Sequence, residues 1–111
     1  MKITITSAAR IELDSAAEFY EQHRAGVGAD FIDELTMTYH RIKSHPKAGK
    51  QVGDNIRYQL VKRFPYSVYY IEFPSEIVIL AVAHQHRKPD YWRSRIESND
   101  KVEEPDIHYA A

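Results

Sequence analysis

The chain has 111 residues, 43% hydrophobic and 28% charged, with no cysteine and a net charge of −1, which suits one domain with its own core. The lack of cysteine excludes a disulfide framework, a thiolate zinc site and a thiol nucleophile. No run of about 18 apolar residues could span a membrane, residues 1–5 lack the apolar block of a signal peptide, and a cytoplasmic protein is expected. The charge is uneven. Residues 1–40 hold three basic and seven acidic side chains, residues 41–96 eleven basic and four acidic, and residues 97–111 one basic and five acidic. A basic middle between acidic ends can meet an anionic partner through one face. Its alternative reading is three ordinary solvated surfaces.

In chain order, residues 2–6 alternate with Ile3 and Ile5 on one side, as in a short strand. Ser7 is a candidate helix cap. Ala9, Leu13, Ala16, Ala17 and Tyr20 then recur at spacings of three and four, predicting an amphipathic helix over 8–23 with Glu12, Asp14, Glu18 and Glu21 mostly off its stripe. Gly26 and Gly28 supply a tight connection. A second helix is expected from Asp30, with Asp33 in a capping-box-like place and a buried stripe of Phe31, Leu35, Thr38, Tyr39 and Ile42. Pro46 pushes His45 out of the helical region, so this helix ends near Ser44.

Residues 46–55, with Pro46, Gly49, Gly53, Asp54 and Asn55, have the composition of a loop. Strands are predicted over 57–62, 66–73 and 77–84, the last almost continuously apolar and so central and covered. Phe64, Pro65 and Tyr66 place a fixed-φ residue at a strand start. Pro89 ends the last strand, letting Tyr91 and Trp92 fold back. Residues 91–98 can form a short helix, and the acidic residues 97–111 form a tail. The fold class is therefore α+β: an N-terminal strand, an antiparallel helical hairpin, and three antiparallel strands in a curled sheet. The hairpin covers one sheet face, the other stays available, and the domain occupies residues 1–96.

Four stretches in this order resemble the RelE/ParE superfamily, in its ParE-like or plasmid stabilisation branch. They are Ala16 to Glu21 with Gly26, Gly28 and Phe31; Arg41 and Ile42 with Pro46 and Gly49; Arg63 to Tyr70; and Ile77 to Val82 running into His84, Arg87, Pro89, Asp90, Tyr91 and Trp92. The resemblance covers about residues 2–93 and implies the toxin of a type II toxin–antitoxin system, with no cofactor.

Members of the RelE branch cleave messenger RNA on the ribosome, a reaction that needs a charge stabiliser and a proton donor. The resemblance places that branch's two lysines on Gln59 and Val61 and its arginines on Ser67 and Gln85; only Tyr91 keeps its type. A metal-independent ribonuclease would therefore rest on His84, Arg87, Tyr91 and Arg63. His84 and His86 alternate toward one side, and the bland reading of both is a strand-end hydrogen bond and a solvated ring. His23, His40 and His45 lie on the helical side, and no metal site is expected.

Members of the ParE branch lack the cluster and poison DNA gyrase, so the resemblance implies a gyrase inhibitor without enzyme activity. The alternatives are ribosome-dependent RNA cleavage and a degenerate toxin acting as a co-repressor. A cognate antitoxin is implied throughout, with operator DNA reached only through it. Arg57, Lys62, Arg63, Arg87 and Arg93 are candidate contacts for antitoxin or target, and equally explicable as solubilising charges. Tyr58, Tyr66, Tyr70 and Trp92 suggest an aromatic floor. The acidic tail could fold over the basic face.

Overall fold

The computed structural model describes residues 1–96 and the backbone of residues 101–103. The elements are β1 (Lys2–Thr6), α1 (Ser7–His23), α2 (Val27–Ser44), a 3-10 turn (Pro46–Ala48), β2 (Lys50–Gly53), β3 (Ile56–Leu60), β4 (Tyr66–Glu72), β5 (Glu76–His84), a second 3-10 turn (Arg93–Arg95) and β6 (Lys101–Glu103). They form one sheet in the order β2-β3-β4-β5-β1-β6. The α+β architecture, the helical hairpin and the antiparallel β3–β4–β5 meander agree with the sequence reading. β1 runs parallel to β5. The helices and three strands separate the two, so no short link dictates their direction.

The helices form where the apolar spacing puts them, but their starts differ. Thr6, not Ser7, caps α1, its hydroxyl accepting from the Ala9 N–H at 3.2 Å. α2 begins at Val27, three residues before Asp30, with Gly26 in the left-handed region at φ 90° and no side-chain cap. The Glu21 carboxylate accepts from the N–H groups of Gly26 and Gly28 at 3.1 Å, doing for the helix start what Asp30 and Asp33 do not. Gly28 lies inside α2, and a Cβ there would sit 2.6 Å from the Ala17 carbonyl oxygen. It sets how closely α1 and α2 approach; it does not interrupt a helix.

Residues 46–55 are more ordered than their composition suggests. β2 pairs antiparallel with β3, with a register shift between Gln51 and Gly53. Two polar edge residues and a glycine carry no alternation to reveal such a strand. The predicted helix over 91–98 is reduced to Arg93–Arg95, and residues 97 and 98 fall outside the described part, as does most of the expected tail.

The core divides by sheet face. Ile3, Ile5, Val68, Tyr70, Ile77, Ile79 and Val82 meet Ala9, Leu13, Phe31, Leu35, Tyr39 and Ile42 of the helices. On the other face, Ile56, Ile71, Leu80, Ala81 and Ala83 are covered by Trp92, itself 2% exposed. The second face is thus only partly available. Its cover comes from Pro89 and from Asp90, whose φ of 62° turns the chain back over the sheet.

Candidate functional site

β5 is longer than β1. Their pairing ends at Ile5 and Ile79, and a register shift against β4 follows, Tyr69 facing Ala81 while Tyr70 faces Ile79. From Leu80 onward the outer edge of β5 has no strand beside it among the described residues, and α1 passes next to it. Glu12 projects there from α1. Its carboxylate accepts from the Val82 N–H at 3.1 Å, from the Tyr91 hydroxyl, and from both terminal nitrogens of Arg95 at 2.8 and 3.1 Å. Arg95 also donates to the Leu80 carbonyl at 3.0 Å. Arg87 stands 4.0 Å from Glu12, with its guanidinium 3.9 Å from the Tyr91 ring centre. One carboxylate therefore ties α1, β5 and the C-terminal segment together. Side-chain exposures of 14% for Glu12 and 18% for Arg95 make these charge-assisted bonds of low solvent screening. Burial, then the Glu12 hydrogen bond and charge, push the Tyr91 phenol well above its ordinary range.

Two concavities flank this hub. The first, about 320 Å³, lies on the second sheet face and is lined by Tyr58, Leu60, Ser67, Tyr69, His84, Gln85 and residues 87–92. Its floor is a tilted series of rings, Tyr58 to Tyr69 at 5.2 Å and Tyr69 to Trp92 at 4.8 Å. Tyr66 and Tyr70 belong to the helix-side core, so the four aromatics suggested by sequence do not share one floor. The second is a groove of about 570 Å³ between α1 and the free edge of β5. It is lined by Ile11, Glu12, Ser15, Ala16, Phe19, Tyr20, Tyr66, Val82, His84 and Arg87. Ile11 and Phe19 are 64% and 53% exposed, an apolar surface bordered by polar groups.

The predicted site residues are only partly brought together. His84, Arg87 and Tyr91 line the first concavity, and His84 stacks on His86 at 5.2 Å and meets the Tyr66 ring edge-on. Arg63 lies in the β3–β4 connection, with φ 71°. It points to α2, 3.8 Å from both Asp30 and Glu34. Arg57 donates to the Gly49 carbonyl at 2.9 Å. Arg93 donates to the Val52 carbonyl and pairs with Asp90 at 3.3 Å. Lys62 is exposed in the same connection as Arg63. These five cations do not form one cluster, and of them Arg87 alone lines both concavities.

The two lysine positions lie away from the first concavity. Gln59 reaches the His45 carbonyl and Val61 is in the helix-side core, so neither faces the first concavity. The β3 residues that line it are Tyr58 and Leu60. A one-residue difference in strand position exchanges the two faces. Sequence reasoning missed Glu12 and Arg95, whose contact spans 83 positions and leaves no local signal. It also missed the groove, whose signal was present: Ile11, Ser15 and Phe19 are spaced by four along α1, a second stripe beside the core one.

The sequence profile described as "ParE toxin of type II toxin-antitoxin system, parDE" matches residues 3–89. A solved structure titled "Chromosomal ParDE TA system from P. aeruginosa" is similar, with a TM-score of 0.66 and 17% identity over 76% of this chain and 95% of that one. At that identity the likeness is one of fold. None of the curated proteins compared matches the chain. With the profile covering most of the strand–hairpin–meander domain, the chain belongs to the ParE toxin family of type II toxin–antitoxin systems.

Proposed function

We propose that this toxin inhibits DNA gyrase by binding, without catalysing a reaction, and that a cognate antitoxin neutralises it. The observation that carries the non-enzymatic reading is the state of the groups a ribonuclease would need. The Tyr91 hydroxyl donates to Glu12, and Arg87 stands beside the same carboxylate. The β3 and β4 residues lining the first concavity are Tyr58, Leu60, Ser67 and Tyr69, none of them basic. Cleavage of a phosphodiester needs cationic donors at phosphorus, and loss of one such donor commonly costs about 100- to 1000-fold in rate. Gyrase as target rests on family membership.

The groove between α1 and the β5 edge supports the antitoxin part. Exposed Ile11 and Phe19 with Val82 at its floor suit the apolar side of an amphipathic segment that orders on binding. Arg87 at its border suits acidic residues of that segment. Operator DNA would then be reached through the antitoxin alone.

The test is supercoiling of relaxed plasmid by purified gyrase with increasing amounts of this chain. Inhibition with accumulation of linear, protein-linked DNA is expected. Full supercoiling at saturating protein overturns the reading for that gyrase. Translating ribosomes would then be the next target, with His84→Ala, Arg87→Ala and Tyr91→Phe as first substitutions.

A further inference from the structure

The free edges of the sheet are finished in different ways. β2 is short, carries exposed Lys50 and Gln51, and shifts register against β3, all devices that discourage a further strand. The part of β5 beyond β1 has side chains laid on it. The Val82 N–H is taken by Glu12, and the Leu80 carbonyl by the Thr6 hydroxyl and Arg95. β1 has an exposed charge only at its first residue, Lys2, and neither kind of protection from Ile3 to Thr6. Ile3, Thr4, Ile5 and Thr6 are at most 5% exposed, with no charge or proline among them. Its side away from β5 is a row of main-chain donors and acceptors, which a strand of either the same or another chain can extend. That side is occupied by β6, antiparallel, with Thr4 opposite Glu103, Ile5 opposite Val102 and Thr6 opposite Lys101. β6 lies beyond residues 3–89, the part shared with the family.

We propose that Lys101–Glu103 is a built-in guard strand, which holds the β1 edge and keeps it from pairing with β1 of a second copy of this chain. The occupant is tethered, so it competes at an effective concentration of the order of millimolar, above that of a second copy in dilute solution. Arg95, the last cation before the guard among the described residues, is itself fixed on Glu12 and Leu80. With the guard removed, the edge has the main-chain groups, the apolar Ile3 and Ile5 on one face and the uncharged Thr4 and Thr6 on the other, that let two copies join into one continuous sheet. This inference is independent of the target of the toxin.

The test compares three chains: the full chain, one lacking residues 97–111, and the full chain with Val102→Pro, which disrupts pairing opposite Ile5 while keeping the length. Sedimentation velocity is run from micromolar concentrations up to about 1 mM, with hydrogen exchange of Ile5 followed at the lowest concentration, because the Lys2 N–H turns to Ser75 on the β5 side and the alternation along β1 then turns the Ile5 N–H to β6. The full chain is expected to stay monomeric. Both altered chains should exchange the Ile5 amide at least about tenfold faster and associate as concentration rises. Altered chains that remain monomeric throughout overturn the proposal, whether or not exchange accelerates. So does a full chain that associates as strongly as they do. If the shortened chain fails to fold, the Val102→Pro chain decides by the same two readouts.

Discussion

Glu12 shows how a single side chain can decide what a neighbouring cluster is able to do. Its carboxylate takes bonds from Arg95, Tyr91 and the Val82 N–H, so removing it leaves a guanidinium, a phenol and a strand N–H without their acceptor. Glu12→Ala is expected to destabilise the protein by about 2–4 kcal/mol, and Glu12→Gln by less, because the amide oxygen still accepts. Urea unfolding midpoints measure both, and a shift below about 0.5 kcal/mol for Glu12→Ala would show that the hub is not structural. Tyr91 gives a pH dependence. Its folded-state pKa is raised, by burial first and Glu12 second, above the ordinary value near 10. The unfolded chain therefore loses this proton at lower pH than the folded one. The resulting stability is whole below about pH 10 and declines above it. Tyr91→Phe should flatten the alkaline fall in stability, and an unchanged slope would assign that fall to the other tyrosines raised by burial, such as Tyr69 and Tyr70.

At the scale of elements, α1 carries two apolar stripes with different fates. Ala9, Leu13 and Ala16 are buried in the core, while Ile11 and Phe19 border the groove. Neither Ile11 nor Phe19 belongs to a core cluster, and Phe19 touches the core only through the edge of Tyr20. Ile11→Asp and Phe19→Asp should each change stability by no more than about 0.5 kcal/mol. In cells, both variants should escape protection by the co-expressed antitoxin. Retained protection would move the antitoxin elsewhere. The α1–α2 contact makes the opposite prediction. At Gly28 an added methyl meets the Ala17 carbonyl and the Glu21 side chain, so Gly28→Ala should cost about 1–3 kcal/mol by overpacking although alanine is the better helix former. An unchanged melting temperature would mean that the two helices shift apart freely.

Across the whole molecule, the positive middle of the sequence does not become one positive face. Arg57 and Arg93 bond main-chain carbonyls, Arg63 meets Asp30 and Glu34, Arg95 and Arg87 meet Glu12, and Lys47 pairs with Glu72 at 3.0 Å. With Arg63, Arg87, Arg95 and Lys47 each beside a carboxylate, fewer phosphates could be neutralised together than the eleven basic residues suggest, and counterion release would be reduced. The chain alone should bind duplex DNA no more tightly than about 10⁻⁴ M at physiological salt. Filter binding that gives a much tighter, steeply salt-dependent constant would contradict this and revive a nucleic-acid surface.

Local rules made the elements legible. Apolar residues at three and four gave α1 and α2, alternation and β-branched runs gave β1, β3, β4 and β5, and Pro46 stopped α2, because each is a property of a dozen neighbouring residues. The ordered motifs from Ala16 to Trp92 were enough to mark the ParE family. β2 escaped, having no alternation to show. The site was much less legible. Sequence could nominate His84, Arg87 and Tyr91 together, yet it gave no hint that Glu12 would hold two of them, or that Arg63 would turn to α2. The first depends on the parallel pairing of β1 with β5, which sets α1 beside the free end of β5, and the second on how α2 docks against the β3–β4 connection. The choice of face for Tyr58 over Gln59 depends on register in the same way. Contacts between residues some eighty positions apart are set by how the layers dock, and only the tertiary structure decides them.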